Sequence, residues 1–85
     1  MKNVEIYTGP VCIFCDWAKA LLEKKGVPFK EIYIGDDQKK MEEMIKKANG
    51  LRTVPQIFID GQHIGGNDKL QALERKGKLN SILGI

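Results

Sequence analysis

"TGPVCIFCDW", Thr8 to Trp17, holds both cysteines of the chain, three positions apart and just behind a Gly-Pro. Such a pair clamps a metal, staples the fold or exchanges electrons with another molecule. Its flanks place it. Upstream, "VEIYT" (Val4 to Thr8) alternates apolar and polar residues and reads as a strand. Downstream, Phe14, Trp17, Ala18, Leu21 and Leu22 recur at helical spacing. The pair therefore lies in a strand-to-helix loop, with Cys12 where the helix begins.

That position has chemical consequences. Unpaired N–H groups at a helix start point at the first sulfur, and the helix dipole adds partial positive charge. Both favour thiolate, and comparable environments lower a thiol pKa from ~8.5 to ~3.5–7.5. A drop of two units corresponds to about 2.7 kcal/mol in favour of the anion. Thiolate is the attacking species in disulfide exchange, so Cys12 reads as the nucleophile. Cys15, one turn further on the same face and less exposed, reads as the resolving thiol. Asp16 opposes thiolate formation nearby. A closed zinc site needs four ligands, and two Cys with the lone His63 fall short. His63 reads as a surface residue in the fourth strand. A staple across so short a loop would remove little unfolded-state entropy. "MKNVEIYT" is no signal peptide, so the cytoplasm is the expected compartment, where a lone pair is seldom structural. C-x-x-C beside a β-α-β pattern is a thioredoxin-like redox signature, although alone it leaves the structural and metal readings open.

The remaining chain reads as one domain, 1–85. A second strand is expected at Phe29 to Ile34, and a helix capped by Asp36 or Asp37 with Met41, Met44, Ile45 and Ala48 on its apolar face. A third strand runs Gln56 to Asp60, and Asp60-Gly61 signals a tight hairpin into "QHIG". Asn67 or Asp68 caps a third helix carrying Leu70 and Leu73, and Leu79, Ile82 and Leu83 suggest a short helical tail. The order β-α-β-α-β-β-α gives an α/β fold: a mixed four-stranded sheet flanked by three main helices, its first two strands parallel. With 42% hydrophobic and 29% charged residues the chain is not disordered. No stretch approaches the ~18 apolar residues of a membrane span. The net charge of +3 is spread over helix faces, without the dense basic stripe of a nucleic-acid binder.

Three motifs together resemble the glutaredoxins: "CIFC" before a helix, "RTVPQIFIDGQHIGG" in the middle, and "GGNDKL" opening the last main helix. The resemblance runs over nearly the whole chain. It implies a thioredoxin-like fold, glutathione as reductant and no metal, with Cys12 as nucleophile and Cys15 as resolving thiol. It makes Pro55 a cis-proline that turns the Val54 backbone toward the cysteines, beside Thr53. The Asn67 and Asp68 N–H groups, behind Gly66, would hold the γ-glutamyl carboxylate of glutathione, and the Asp68 side chain its ammonium. Phe14 would flank the substrate. There are departures. Ile13 stands where the family usually has Pro, and Gly9 where many members carry a Lys for the other carboxylate. Arg52 or Lys40 would substitute for that Lys, and Lys69 replaces a second acid.

The implied activity is glutathione-dependent reduction of protein disulfides and of protein–glutathione mixed disulfides. The implied partners are glutathione and disulfide-containing or glutathionylated proteins, and a monomer is expected. Two alternatives compete. One is a [2Fe–2S] carrier, with a cluster held between two subunits by Cys12 and bound glutathione. The other is the same chemistry served by thioredoxin reductase.

Overall fold

Alternation along Val4–Thr8 decides the first strand, β1, and with it both cores. Val4 and Ile6 turn to one face of the sheet; Glu5 and Tyr7 turn to the other. The computed structural model describes residues 2–85. After β1 come α1 (Ile13–Lys24), β2 (Lys30–Tyr33), α2 (Gln38–Lys47), β3 (Gln56–Ile59), β4 (Gln62–Gly65), α3 (Asn67–Arg75) and α4 (Leu79–Leu83). The strand order is β2-β1-β3-β4. β1 runs parallel to β2 and antiparallel to β3, which is antiparallel to β4. This is the mixed sheet expected from the element order.

Ile57 and Ile59 join Val4 and Ile6 in the larger core, closed by Ala18 and Leu22 of α1, Leu70 of α3, and Leu79 and Leu83 of α4. Tyr7 and Phe58 face the other side, packed edge to face at 5.6 Å and covered by Met44 and Ala48. The Tyr7 hydroxyl donates to Glu43 (2.6 Å) and accepts from Lys47 (3.1 Å), tying α2 to the sheet. Burial and the bond to Glu43 push that hydroxyl's pKa up, against the pull of Lys47. Lys25 bonds Asn80 and pairs with Glu74, so the end of α1 also holds the C-terminal helices.

Four expectations need correction. β2 is shorter than Phe29 to Ile34, because Phe29 packs against the larger core and Ile34 is buried beyond the strand's end. β3 stops at Ile59, because Asp60 belongs to the turn; Asp60 and Gly61 have φ of 50° and 79°, the paired positive values a type I′ hairpin requires. Neither Asn67 nor Asp68 caps α3. Gly66 does, without a side-chain bond. Trp17, at helical spacing with the apolar residues of α1, does not face the core: α1 buries Cys15, Ala18 and Leu22 instead, and the outer stripe of its first turns projects into solvent.

On β2, Glu31 accepts from the buried Thr8 hydroxyl (2.7 Å) and pairs with Lys19 (3.1 Å). The Thr8 bond, helped by Lys19 and opposed by burial, holds its carboxyl below the ordinary 4.5. A depressed carboxyl contributes stability above its unfolded pKa and loses it as pH falls through the folded one. Glu31→Gln should therefore lower the unfolding free energy read from urea titration at pH 7, by less than ~1 kcal/mol because the pair is partly solvated. The gap should close in acid below pH 4.5. A gap that persists or widens there would contradict the assignment.

Candidate active site

The loop from β1 to α1 carries Val11 with φ of 49°, its side chain fully exposed. A β-branched residue seldom adopts that conformation. Cys12 follows in extended backbone (φ −124°, ψ 96°) as the N-cap of α1. Its sulfur takes the place of a capping oxygen: the Cys15 N–H donates to Cys12 Sγ at 3.0 Å. The Cys12 carbonyl accepts from Asp16 N–H to start the helix. Cys12 is half-buried and Cys15 only 2% exposed. The two are joined as a disulfide, with Cα atoms 5.2 Å apart.

Two neighbours act on the Cys12 sulfur in opposite senses. The amide at 3.0 Å favours an anion, and the Val54 carbonyl, 3.7 Å away, can accept from a thiol. The closer partner is the one that stabilises thiolate. Asp16 stays exposed, and its carboxylate lies 4.0 Å from the Lys19 ammonium, which offsets its charge. The Val54–Pro55 bond is cis, as expected, and the Val54 backbone faces the cysteines.

Beside the pair opens a cleft of about 290 Å³ lined by Phe14, Thr53, Val54, Pro55, Gly66, Asn67 and Asp68. The structure thus gathers seven of the expected site residues around one cavity next to Cys12. Its floor includes the N-terminus of α3, which has no side-chain cap, so the amides of that first turn are open to a ligand. A Cβ on Gly66 would sit 3.2 Å from Asp68 Oδ1 and 3.4 Å from Pro55 O, so a larger residue there would crowd the Asp68 side chain. Asn67 is buried and accepts from Gln71. Arg52 is not in this cleft: it borders a second one with Gly35, Asp36, Asp37, Gln38 and Met41. Lys40 lies in neither. A larger cleft of about 460 Å³, at Lys2 to Val4 and Pro28 to Lys30, lies at the other end of β1 and holds no nucleophilic sulfur.

Sequence alone gives no sign of the pairing of His63 with Gln56, or of the two bonds by which Gln56 holds Thr53. Nor does it show that Trp17 stacks edge-on against Phe14 at 5.5 Å, both half-exposed. Among the described residues no group of three or more His, Cys, Asp or Glu is placed to hold a metal ion.

A family model described as Glutaredoxin matches residues 4–64, both cysteines and the Thr53-Val54-Pro55 run included. The chain belongs to the glutaredoxin family. Glutaredoxins are thiol–disulfide oxidoreductases, and the bridged pair at the head of α1 is the redox group this one presents. It is 57% identical over 83 residues to Glutaredoxin 3 of Escherichia coli strain K12, covering 98% of this chain and 99% of that protein. The solution structure of a Brucella melitensis glutaredoxin superposes with a TM-score of 0.84 at 48% identity, covering 98% of this chain and 89% of that one. A buckwheat glutaredoxin–glutathione complex superposes with a TM-score of 0.85 at 29% identity, covering 98% and 77%. The fold of this glutaredoxin is accordingly thioredoxin-like, and no helix among its described residues is long and apolar enough to cross a membrane.

Proposed function

We propose that this glutaredoxin is a monomeric, single-domain cytoplasmic enzyme. It uses glutathione to reduce protein disulfides and protein–glutathione mixed disulfides. The observation that carries the glutathione reading is the uncapped N-terminus of α3 opening into the cleft beside Cys12. Amides at a helix start bind carboxylate, and the Asp68 carboxylate beside them complements an ammonium. A γ-glutamyl group presents both charges on one carbon. The buckwheat relative, solved as a glutathione complex, supports the same reading.

The steps follow from the two sulfurs. With a glutathionylated protein, Cys12 thiolate attacks the glutathione sulfur, and the protein thiolate leaves and takes a proton. The thiolate of a second glutathione attacks that same sulfur, releasing oxidised glutathione and Cys12 thiolate. With a protein disulfide, Cys12 attacks one sulfur and the other leaves as thiol. Cys15 then attacks the Cys12 sulfur, frees the second protein thiol and forms the bridge found here. Two glutathiones reduce that bridge and leave as one disulfide.

Arg52, two positions before Val54 but lining a different cleft, would have to swing toward the glycyl carboxylate to stand in for the missing Lys at position 9. A Cβ at Gly9 would lie 3.2 Å from Val54 Cγ2, so a longer residue there requires movement. The exposed apolar side chains of Val11, Ile13, Phe14 and Trp17 around Cys12 suit protein rather than purely polar substrates. Reduction of a glutathionylated peptide, with glutathione reductase and thioredoxin reductase compared side by side, tests the reading. Turnover supported by glutathione and its reductase is expected. Turnover with thioredoxin reductase alone, or none above the uncatalysed rate, would overturn it.

A further inference from the structure

The lone histidine sits at the end of a chain of hydrogen bonds that leads into the cleft. Gln56 is a fully buried amide (1% exposed) at the start of β3. Its Nε2 donates to both the carbonyl oxygen (3.0 Å) and the hydroxyl (3.2 Å) of Thr53. That fixes the amide's orientation and turns Oε1 toward His63 Nε2, 2.7 Å away. Oε1 only accepts, so Nε2 carries the imidazole hydrogen. Nδ1 is left to face Asn49 Nδ2 at 3.5 Å. The ring lies tilted on Phe58, 5.1 Å between centroids, in a register that sets His63 opposite Phe58 across β3 and β4.

We infer that His63 is a positioning residue: it orients Gln56, and Gln56 holds Thr53, next to the Val54 backbone on which the thiol substrate is received. Thr53 lines the cleft immediately before Val54 and Pro55. Its side of the loop is exposed, and Gln56 is its side-chain tether to the sheet. Without His63, Gln56 Oε1 is a buried acceptor with no partner, in a protein whose described residues leave none. The amide then turns toward another donor and releases Thr53. This deepens the proposed glutathione site and rests on it.

The test compares His63→Phe, which keeps a ring on Phe58, with His63→Gln, which restores an N–H, and with Gln56→Leu. His63→Phe should raise KM for a glutathionylated peptide about 3- to 10-fold, the range of one lost hydrogen bond, with kcat within about twofold. His63→Gln should recover most of that loss. The Gln56→Leu/His63→Phe double variant should be no worse than Gln56→Leu alone, as residues acting in series are not additive. In amide NMR spectra of the bridged protein, Thr53 and Val54 should shift alike in His63→Phe and Gln56→Leu. An unchanged KM, an equal fall in kcat and kcat/KM without rescue by His63→Gln, or additive losses would overturn the inference. So would Thr53 and Val54 resonances that stay in place. Should the wild type fail to turn over with glutathione, the substrate reading falls, and the spectra alone decide the tether.

Discussion

Cys12→Ser should reduce turnover of every disulfide substrate to the uncatalysed rate, whereas Cys15→Ser should lose protein-disulfide reduction and keep deglutathionylation. The asymmetry follows from burial and from the N-cap. Cys12 is half-buried beside an open cleft, and an amide points at its sulfur. A serine there has the donor but no ionisable thiol, so no nucleophile remains at neutral pH. Cys15 is almost wholly enclosed, and its sulfur can reach Cys12 but not an outside disulfide. Removing a glutathione from Cys12 needs only a second glutathione; resolving a mixed disulfide with a protein needs Cys15. Assays of both variants on a glutathionylated peptide and on a disulfide-bonded protein check this. Equal losses in the two variants on the peptide would show that the roles are not divided this way.

Reversing the charge at the head of α3 should be nearly as damaging to substrate capture. Asp68→Lys replaces the partner of the proposed ammonium and leaves the α3 amides and the cysteines in place. Hydrogen bonds to charged groups contribute about 1.5–3 kcal/mol, which is about 10- to 150-fold in kcat/KM. Asp68 is exposed, so the lower end is expected, and the loss should shrink as salt is raised. Unfolding should move by less than ~1 kcal/mol, the contribution of an acid in the first turn of a helix. Steady-state kinetics with a glutathionylated peptide at two ionic strengths, beside a denaturant titration, separates the two effects. A kcat/KM that stays within twofold would remove Asp68 from the site.

Local chemistry was the readable part of this chain. β1 spans the expected Val4–Thr8, although Ile6, Tyr7 and Thr8 are all buried because both faces of the sheet are covered, and Asp60-Gly61 makes the turn its residue types demand. Asp37 caps α2 through a bond to Lys40 N–H, as its place before the apolar face suggests. Sequence alone misplaces the cap of α3, because capping preferences favour Asn and Asp, whereas the chain leaves those residues inside the helix behind Gly66. The misplacement of Trp17 has a similar cause. Periodicity shows that residues share a stripe and says nothing of how far the opposing core extends, so an overhanging first turn looks like a buried one. The isomer at Pro55 came from family resemblance, since most X–Pro bonds are trans. His63 reads from sequence as a surface residue. Its bond to Gln56 depends on the pairing of β3 with β4 and on a register shift between Ile57 and Phe58. Neither leaves a local trace.

The account depends most on the state of one sulfur. Titrating the reduced Cys15→Ser protein by thiolate absorbance isolates Cys12 from its partner. A midpoint at least about one unit below the ~8.5 of free cysteine is predicted, because a helix-end amide favours the anion. A midpoint at or above that of free cysteine would contradict it.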